Sequence, residues 1–183
     1  MLNPHEIPQL GEVLISREAI EQRIADLGDE ISRAYQGCSD LLLVCILKGG
    51  VVFLTDLMRH INPPHAIEFM AVSSYGAGIR QSSGHVRIDM DLAHDINNRH
   101  VLIVEDIIDS GHTLQYIMRQ LEARSPASLK ICCLLSKPSR REVEIDIDFL
   151  GFEIPDKFVF GYGLDLDEKY RNLPFIGVVK SHD

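Results

Sequence analysis

The sequence predicts an α/β domain built on an open, mostly parallel sheet flanked by helices. Three observations carry that expectation. Apolar runs of strand length recur at 41–47, which is unbroken, at 101–104, and at 129–135, which is interrupted only by Lys130; a strand apolar at nearly every position is one whose two faces are both covered, as in a parallel sheet. Between them lie stretches with apolar residues at spacings of three and four, the period of an amphipathic helix. Each run stops at a polar or glycine-rich segment, Lys48-Gly49-Gly50, Glu105 to Thr113 and Ser136-Lys137-Pro138, as strand-to-helix turns do.

The elements follow in order. Ser16 is placed to cap a helix carrying Ile20, Ile24, Leu27, Ile31 and Tyr35, with Gly37 as its stop. After the strand 41–47, Val51, Leu54, Met58 and Ile61 mark a second helix that ends near Asn62-Pro63-Pro64. Residues 66–73 read as a strand. Residues 74–85 are rich in Ser and Gly and form a loop of a length that is often functional. Residues 86–92 alternate Val86, Ile88 and Met90 with Arg87, Asp89 and Asp91, the pattern of a half-exposed strand that pairs with the one before the loop. Leu114, Ile117, Met118 and Leu121 give a third helix. Strands are expected at 145–152, 158–162 and 175–179. The N-terminal dozen, the loop and the C-terminal third do not fit the central α/β core.

With 183 residues, 45% hydrophobic and 25% charged, the chain reads as one domain, residues 1–183, and disordered and fibrous classes are excluded. Cys38, Cys45, Cys132 and Cys133 form no Cys-x-x-Cys, and three of them lie in apolar runs; reduced thiols and a cytoplasmic location are expected. The histidines show no zinc-ligand spacing. No apolar run approaches the roughly 18 residues of a membrane span, and Met1 to Glu6 lacks the basic and apolar regions of a signal peptide. The net charge of −9 argues against nucleic acid and anionic membranes as partners. A small anionic ligand remains open if the few cations gather in one place.

In an open α/β sheet, ligands bind beyond the carboxyl ends of the strands. The most specific such end is Glu105-Asp106-Ile107-Ile108-Asp109-Ser110-Gly111-His112-Thr113. Its hydroxyls, its glycine and the free N–H groups of a helix start suit a phosphate. It is not a Walker A loop, and neither Gly76-Ala77-Gly78 nor Gly161-Tyr162-Gly163 completes a dinucleotide fingerprint. Glu105 and Asp106 would repel an anion unless ribose hydroxyls or a divalent metal engage them. Taken singly they also fit solvated strand-end charges, with Asp109 a plain helix cap.

The whole unit 101–114 resembles the phosphoribosyl diphosphate signature of type I phosphoribosyltransferases, and more narrowly the hypoxanthine-guanine branch in its bacterial form. Leu47-Lys48-Gly49-Gly50, Ser74-Tyr75, Lys137, Pro155-Asp156-Lys157-Phe158-Val159, Gly161-Tyr162, Asp165 and Tyr170-Arg171-Asn172-Leu173-Pro174 match in order, so the likeness runs from about Val13 to Val179. It implies a type I phosphoribosyltransferase fold with a small hood for base recognition, from about 1–15 and 137–183, and a flexible loop at 74–85. It implies transfer of the 5-phosphoribosyl group from phosphoribosyl diphosphate to hypoxanthine or guanine, with Mg²⁺, in a homodimer or homotetramer.

The resemblance also implies roles. Glu105 and Asp106 meet the ribose hydroxyls, directly or through the metal, and Asp165 is a further metal ligand beside the purine. Asp109, Ser110, Gly111, His112 and Thr113 hold the 5′-phosphate, with Asp109 doubling as acid/base near the purine N7. Lys48, after a cis peptide bond, Gly49 and Arg171 face pyrophosphate. Lys137 donates to the purine O6, Phe158 stacks on the base and Val159 offers backbone groups to its edge. Ser74 and Tyr75 belong to a loop that closes over the site. Ser110 and His112 stand where members of the family vary. On residue type alone Lys48 also fits a solvated strand end, Lys137 a basic turn with Arg140 and Arg141, and Phe158 a core aromatic. The alternative class is a regulatory relative of the same fold that binds nucleic acid with nucleotide as effector; the acidic charge and the complete set of base-site residues count against it.

Overall fold

The computed structural model describes residues 7–74 and 86–180. Its centre is a six-stranded sheet flanked by three helices. The strands are β2 (Leu41–Leu47), β3 (His65–Ser74), β4 (Val86–Met90), β5 (His100–Ile108), β6 (Ser128–Ser136) and β7 (Phe149–Glu153), in the spatial order β4-β3-β2-β5-β6-β7. All neighbours are parallel except β3 and β4, which pair antiparallel. The expected hairpin is therefore present; Tyr75 and the rest of the loop to His85 lie outside the described residues.

The apolar runs are buried on both faces. In β2, Leu41, Leu43 and Cys45 pack beneath α1 (Arg17–Ala34) and α2 (Gly50–Leu57), whereas Leu42, Val44 and Ile46 pack on the side of α3 (His112–Glu122). Successive side chains of a strand point to opposite faces, so seven apolar residues in a row serve two cores. Helix α1 begins as expected: the Ser16 hydroxyl accepts from the Ala19 N–H at 3.3 Å. It ends at Tyr35, and Gly37 turns away with φ of 80°. Helix α2 stops before its expected end and continues as a single 3-10 turn, Met58–His60.

A second, three-stranded sheet stands apart. Its order is β1 (Leu10–Ile15), β9 (Ile176–Val179), β8 (Val159–Phe160), all antiparallel. Ile7, Phe160, Leu173 and Phe175 form its own small core. The chain segments that do not fit the central sheet thus pair with each other.

Strands β4 and β8 are shorter than expected, and two further boundaries differ by about a turn of chain. Strand β5 does not stop at Val104 but runs on through Glu105 and Asp106 to Ile108, because β6 stays paired with it to Ile108 and Ser136. Residues 145–148 are not strand: β7 starts only at Phe149. Val143, Ile145 and Ile147 do alternate inward with exposed neighbours, but they make an extended strap that packs on the α3 core without a ladder.

Candidate active site

The strand order reverses at β2. Its chain continues to β3 on one side, and β5 lies on the other. Strands β2 and β5 pair only as far as Cys45 and Val104, so β5 carries Glu105 and Asp106 beyond its neighbour. A crevice opens there, at the switch point where open α/β sheets bind ligands.

Lys48, Gly49 and Gly50 bound one wall. The Leu47–Lys48 peptide bond is cis, as the resemblance implies. A side chain at Gly49 would place its Cβ 1.5 Å from Asp106 Oδ2, so only glycine lets this turn lie against the carboxylate. Across the crevice, the Asp109–Thr113 turn leads into α3. The cap of α3 is Gly111, with φ of 92°, and no side chain bonds the first N–H groups of the helix. The first turn of a helix leaves its N–H groups without intrahelical partners, and they favour an anion. Asp109 is not the cap. Glu105, Ile107, Ile108, Asp109, Ser110, Gly111, Thr113 and Leu114 line a cavity of about 180 Å³ in front of these groups, the size of a phosphate with part of a sugar. A larger cavity, about 700 Å³, lies between α1, α2 and residues 171–174 and includes Arg171 as its one predicted site residue.

Glu105 and Asp106 are adjacent acids in a desolvated position. Burial pushes the Glu105 carboxyl well above its ordinary range, and the neighbouring Asp106 charge and hydrogen bond push the same way. Asp106 is also raised by burial, an effect opposed by the hydrogen bonds from Glu105 and from the Ile107 N–H. The pair thus favours a proton on Glu105 more strongly than a free carboxyl does. An unfolded Glu gives up that proton near pH 4.5. Stability therefore falls as pH rises from that value through the raised folded one. Glu105→Gln keeps a donor for Asp106 and removes the titration. Its expected melting temperature exceeds the parent's at pH 8, with the gap closing toward pH 4; identical melting curves against pH would refute the shared proton.

The cations expected to face pyrophosphate, Lys48 and Arg171, are brought together and already paired. Arg171 reaches Asp165 Oδ1 at 2.7 Å and Glu168 at 3.7 Å, and donates to the Gly163 carbonyl at 2.7 Å. Lys48 Nζ bonds the same Glu168 carboxylate at 2.8 Å. Glu168 therefore occupies both cations in the free protein, and Lys48 holds its carboxyl below the usual range. Sequence reasoning missed it; its spacing of three from both Asp165 and Arg171 was the available signal. The second oxygen of Asp165 accepts from the Glu168 N–H at 3.0 Å.

On the base side, Lys137 follows β6 and is only 7% exposed. Its N–H bonds the Ile108 carbonyl at 3.0 Å, and its ammonium lies 3.8 Å from Asp156. A turn lysine in solvent is thereby excluded. Phe158 is 64% exposed and not a core aromatic. Val159 is buried in β8, an edge strand whose outer backbone side pairs with no other strand of its sheet. Asp109 Oδ1 accepts from Arg140 Nε at 3.1 Å, and Arg140 also lies 3.8 Å from Asp156. His112 is bonded to Glu142 at 2.8 Å. Thr113 is exposed at the start of α3, and Ser74 ends β3. Arg140, Asp156 and Glu142 are further residues to which the motif reading gave no role.

Glu105, Asp106 and Asp165 do not form one metal cage: among the described residues no three His, Cys, Asp or Glu side chains converge on a point. The adjacent acids nonetheless offer hard oxygen ligands, which suit Mg²⁺ held by one or two carboxylates together with oxygens of a phosphorylated substrate.

A bare helix start, an acid pair at the switch point and a cation cluster opposite define a site for a phosphorylated sugar. The sequence matches the phosphoribosyl transferase domain family over residues 14–169. It is 52% identical to the hypoxanthine-guanine phosphoribosyltransferase of Mycobacterium avium, covering 93% of this chain and 86% of that protein. It is 51% identical to the hypoxanthine phosphoribosyltransferase of Haemophilus influenzae, covering 92% and 94%. The crystal structure of a hypoxanthine phosphoribosyltransferase from Staphylococcus aureus superposes with a TM-score of 0.90 at 46% identity, covering 94% of this chain and 92% of that one. This chain belongs to the phosphoribosyl transferase family. No described helix is long and apolar enough to cross a membrane.

Proposed function

We propose that this protein transfers the 5-phosphoribosyl group from phosphoribosyl diphosphate to hypoxanthine or guanine, giving IMP or GMP and pyrophosphate. The observation that carries this reading is the junction, at one switch point, of the uncapped α3 start and the Glu105–Asp106 pair. An anion cradle beside paired acids fits a ligand with phosphate at one end and sugar hydroxyls next to it. Relatives named for hypoxanthine-guanine transfer and for hypoxanthine transfer support the base assignment.

The residues then divide the work. The turn Asp109–Thr113 binds the 5′-phosphate through N–H groups and hydroxyls. Glu105 and Asp106 accept from the ribose hydroxyls, and their negative charge favours positive charge developing at C1. Glu105 and Asp106 would hold Mg²⁺, with Asp165 offering a separate carboxylate for it, and the metal would supply charge neutralisation to the phosphates when bound. Lys48, Gly49 and Arg171 receive the departing pyrophosphate, which displaces Glu168 from both cations. An arginine fork suits phosphate oxygens in a bidentate way. Phe158 stacks on the purine, Lys137 donates to O6, and the unpaired side of β8 at Val159 meets the base edge. Asp109, beside the nucleophilic face of the purine, exchanges the N7 proton.

Pyrophosphate release tests the reading. Phosphoribosyl diphosphate with Mg²⁺ and the protein is expected to yield one pyrophosphate per hypoxanthine consumed, and the reverse reaction to yield hypoxanthine from IMP and pyrophosphate. Hydrolysis of phosphoribosyl diphosphate without nucleotide formation would contradict it.

A further inference from the structure

The Asp109–Thr113 turn contains one acid and no lysine or arginine. Its acid is partnered by Arg140, and its histidine is held by Glu142. Neither side chain leaves a free cation for a phosphate dianion, so the N–H groups of α3 and the turn's hydroxyls meet it without a side-chain cation unless charge comes from elsewhere.

Such a charge lies behind the turn. Arg141 opens the strap that leads to β7. The Glu142 and Val143 N–H groups of this strap bond the Ser110 carbonyl at 3.0 and 3.4 Å. The Arg141 stem fills the space beside Gly111: its Cδ lies 3.3 Å from where a Cβ at Gly111 would stand. Its guanidinium donates from Nη2 to the Ser136 hydroxyl at 2.8 Å, at the carboxyl end of β6. Nε and Nη1 are buried and have no hydrogen-bond partner among the described residues. Among the described residues Arg141 makes no salt bridge, although both neighbouring residues, Arg140 and Glu142, are paired.

Buried, unmet donors on a half-buried cation are costly in a folded protein and call for a compensating anion. Burial also lengthens its reach, because the field of a charge is weakly screened where water is excluded. We propose that Arg141 is a positioning residue for the 5′-phosphate: it fixes the turn from behind through the Gly111 slot and supplies the fixed positive charge that the turn lacks. The ligand class is a sugar 5-phosphate, held on the front of the turn while the guanidinium stands at its back. This rests on the reading of Asp109–Thr113 as the 5′-phosphate cradle.

The two possible roles of Arg141 separate on stability. A guanidinium kept only to hold the strap loses stability when removed. One kept for phosphate costs stability in the free protein, and its neutral replacement leaves melting equal or higher. The experiment is calorimetric titration of the full chain with ribose 5-phosphate, together with thermal melting, for the parent, Arg141→Met, Arg141→Gln and Arg141→Lys. The expected result is a loss of about tenfold or more in affinity for Met and Gln, the scale of removing a partly screened unit charge from the neighbourhood of a phosphate, with melting no lower than the parent's. Lys is expected to recover affinity to within about threefold by restoring the charge. Gln keeps a donor toward Ser136 and stands in if Met does not fold. Unchanged affinity in both neutral variants, or equal loss in Lys and Met, overturns the proposal alone. Absence of binding to the parent overturns the phosphate-cradle reading, and this inference with it.

Discussion

Asp109→Asn is expected to lower turnover by about 10²–10⁴-fold, the usual contribution of a positioned proton shuttle. Asparagine keeps the size of the side chain and an oxygen to accept from Arg140, which bonds Asp109 Oδ1 at 3.1 Å. It cannot take up or give back a proton. On the proposed reading the 5′-phosphate meets N–H groups of the turn rather than this carboxylate, since Gly111 and not Asp109 caps α3. The KM for phosphoribosyl diphosphate should therefore change by less than about threefold while kcat falls. Steady-state kinetics with hypoxanthine measures both. A kcat close to the parent's removes Asp109 from proton transfer. A large rise in KM at constant kcat makes it a binding residue instead.

Lys137→Met is the second large effect. Lys137 is almost fully buried, and its backbone is tied to Ile108 beside the phosphate turn. Its ammonium is held near Asp156 at 3.8 Å, too long for a hydrogen bond and short enough to steady the charge. The donor is thus confined but still available to an acceptor. A site built around such a donor rejects a ligand that cannot accept from it by large factors. Adenine carries an amino group where hypoxanthine has O6. Methionine preserves the stem and removes the donor, so kcat/KM with hypoxanthine is expected to fall at least about a hundredfold. Discrimination against adenine should shrink with it. Competition assays with the two bases read both changes, and a variant within about threefold of the parent on hypoxanthine would show that Lys137 does not meet O6.

Much of this arrangement is legible before any coordinate is seen, and the reason is burial. A strand such as 41–47, apolar on both faces, has no alternative environment to a covered sheet, and β2 has the predicted bounds. The ligand-facing turns were legible for the opposite reason: Lys48-Gly49-Gly50 and Asp109–Thr113 break apolar runs where a covered sheet has no use for polar groups. The extent of β5 was not legible. Glu105 and Asp106 look like the end of a strand, since charges are rare in one, yet β6 holds them in the ladder beyond the reach of β2. That extension desolvates the pair and raises the Glu105 carboxyl.

The strap at 141–148 misleads in another way. Val143, Ile145 and Ile147 alternate as a strand does, because every second side chain is buried against α3 and the phosphate turn. Side-chain alternation reports burial, not backbone pairing. The role of Glu168 escaped because it depends on two partners distant in sequence or brought near by a turn. Lys48 is 120 residues away, and the approach of Arg171 requires the positive φ angles of Asp167, Glu168 and Tyr170.

Nucleotide formation from phosphoribosyl diphosphate and Mg²⁺, measured with hypoxanthine, guanine, xanthine, adenine and uracil in parallel, tests the central claim most directly. A confined Lys137 donor, an exposed Phe158 and a phosphate turn beside paired acids predict nucleotide from hypoxanthine or guanine and no measurable product from adenine or uracil. Product from adenine or uracil alone would contradict the base assignment, and no product from any base would contradict the transferase reading itself.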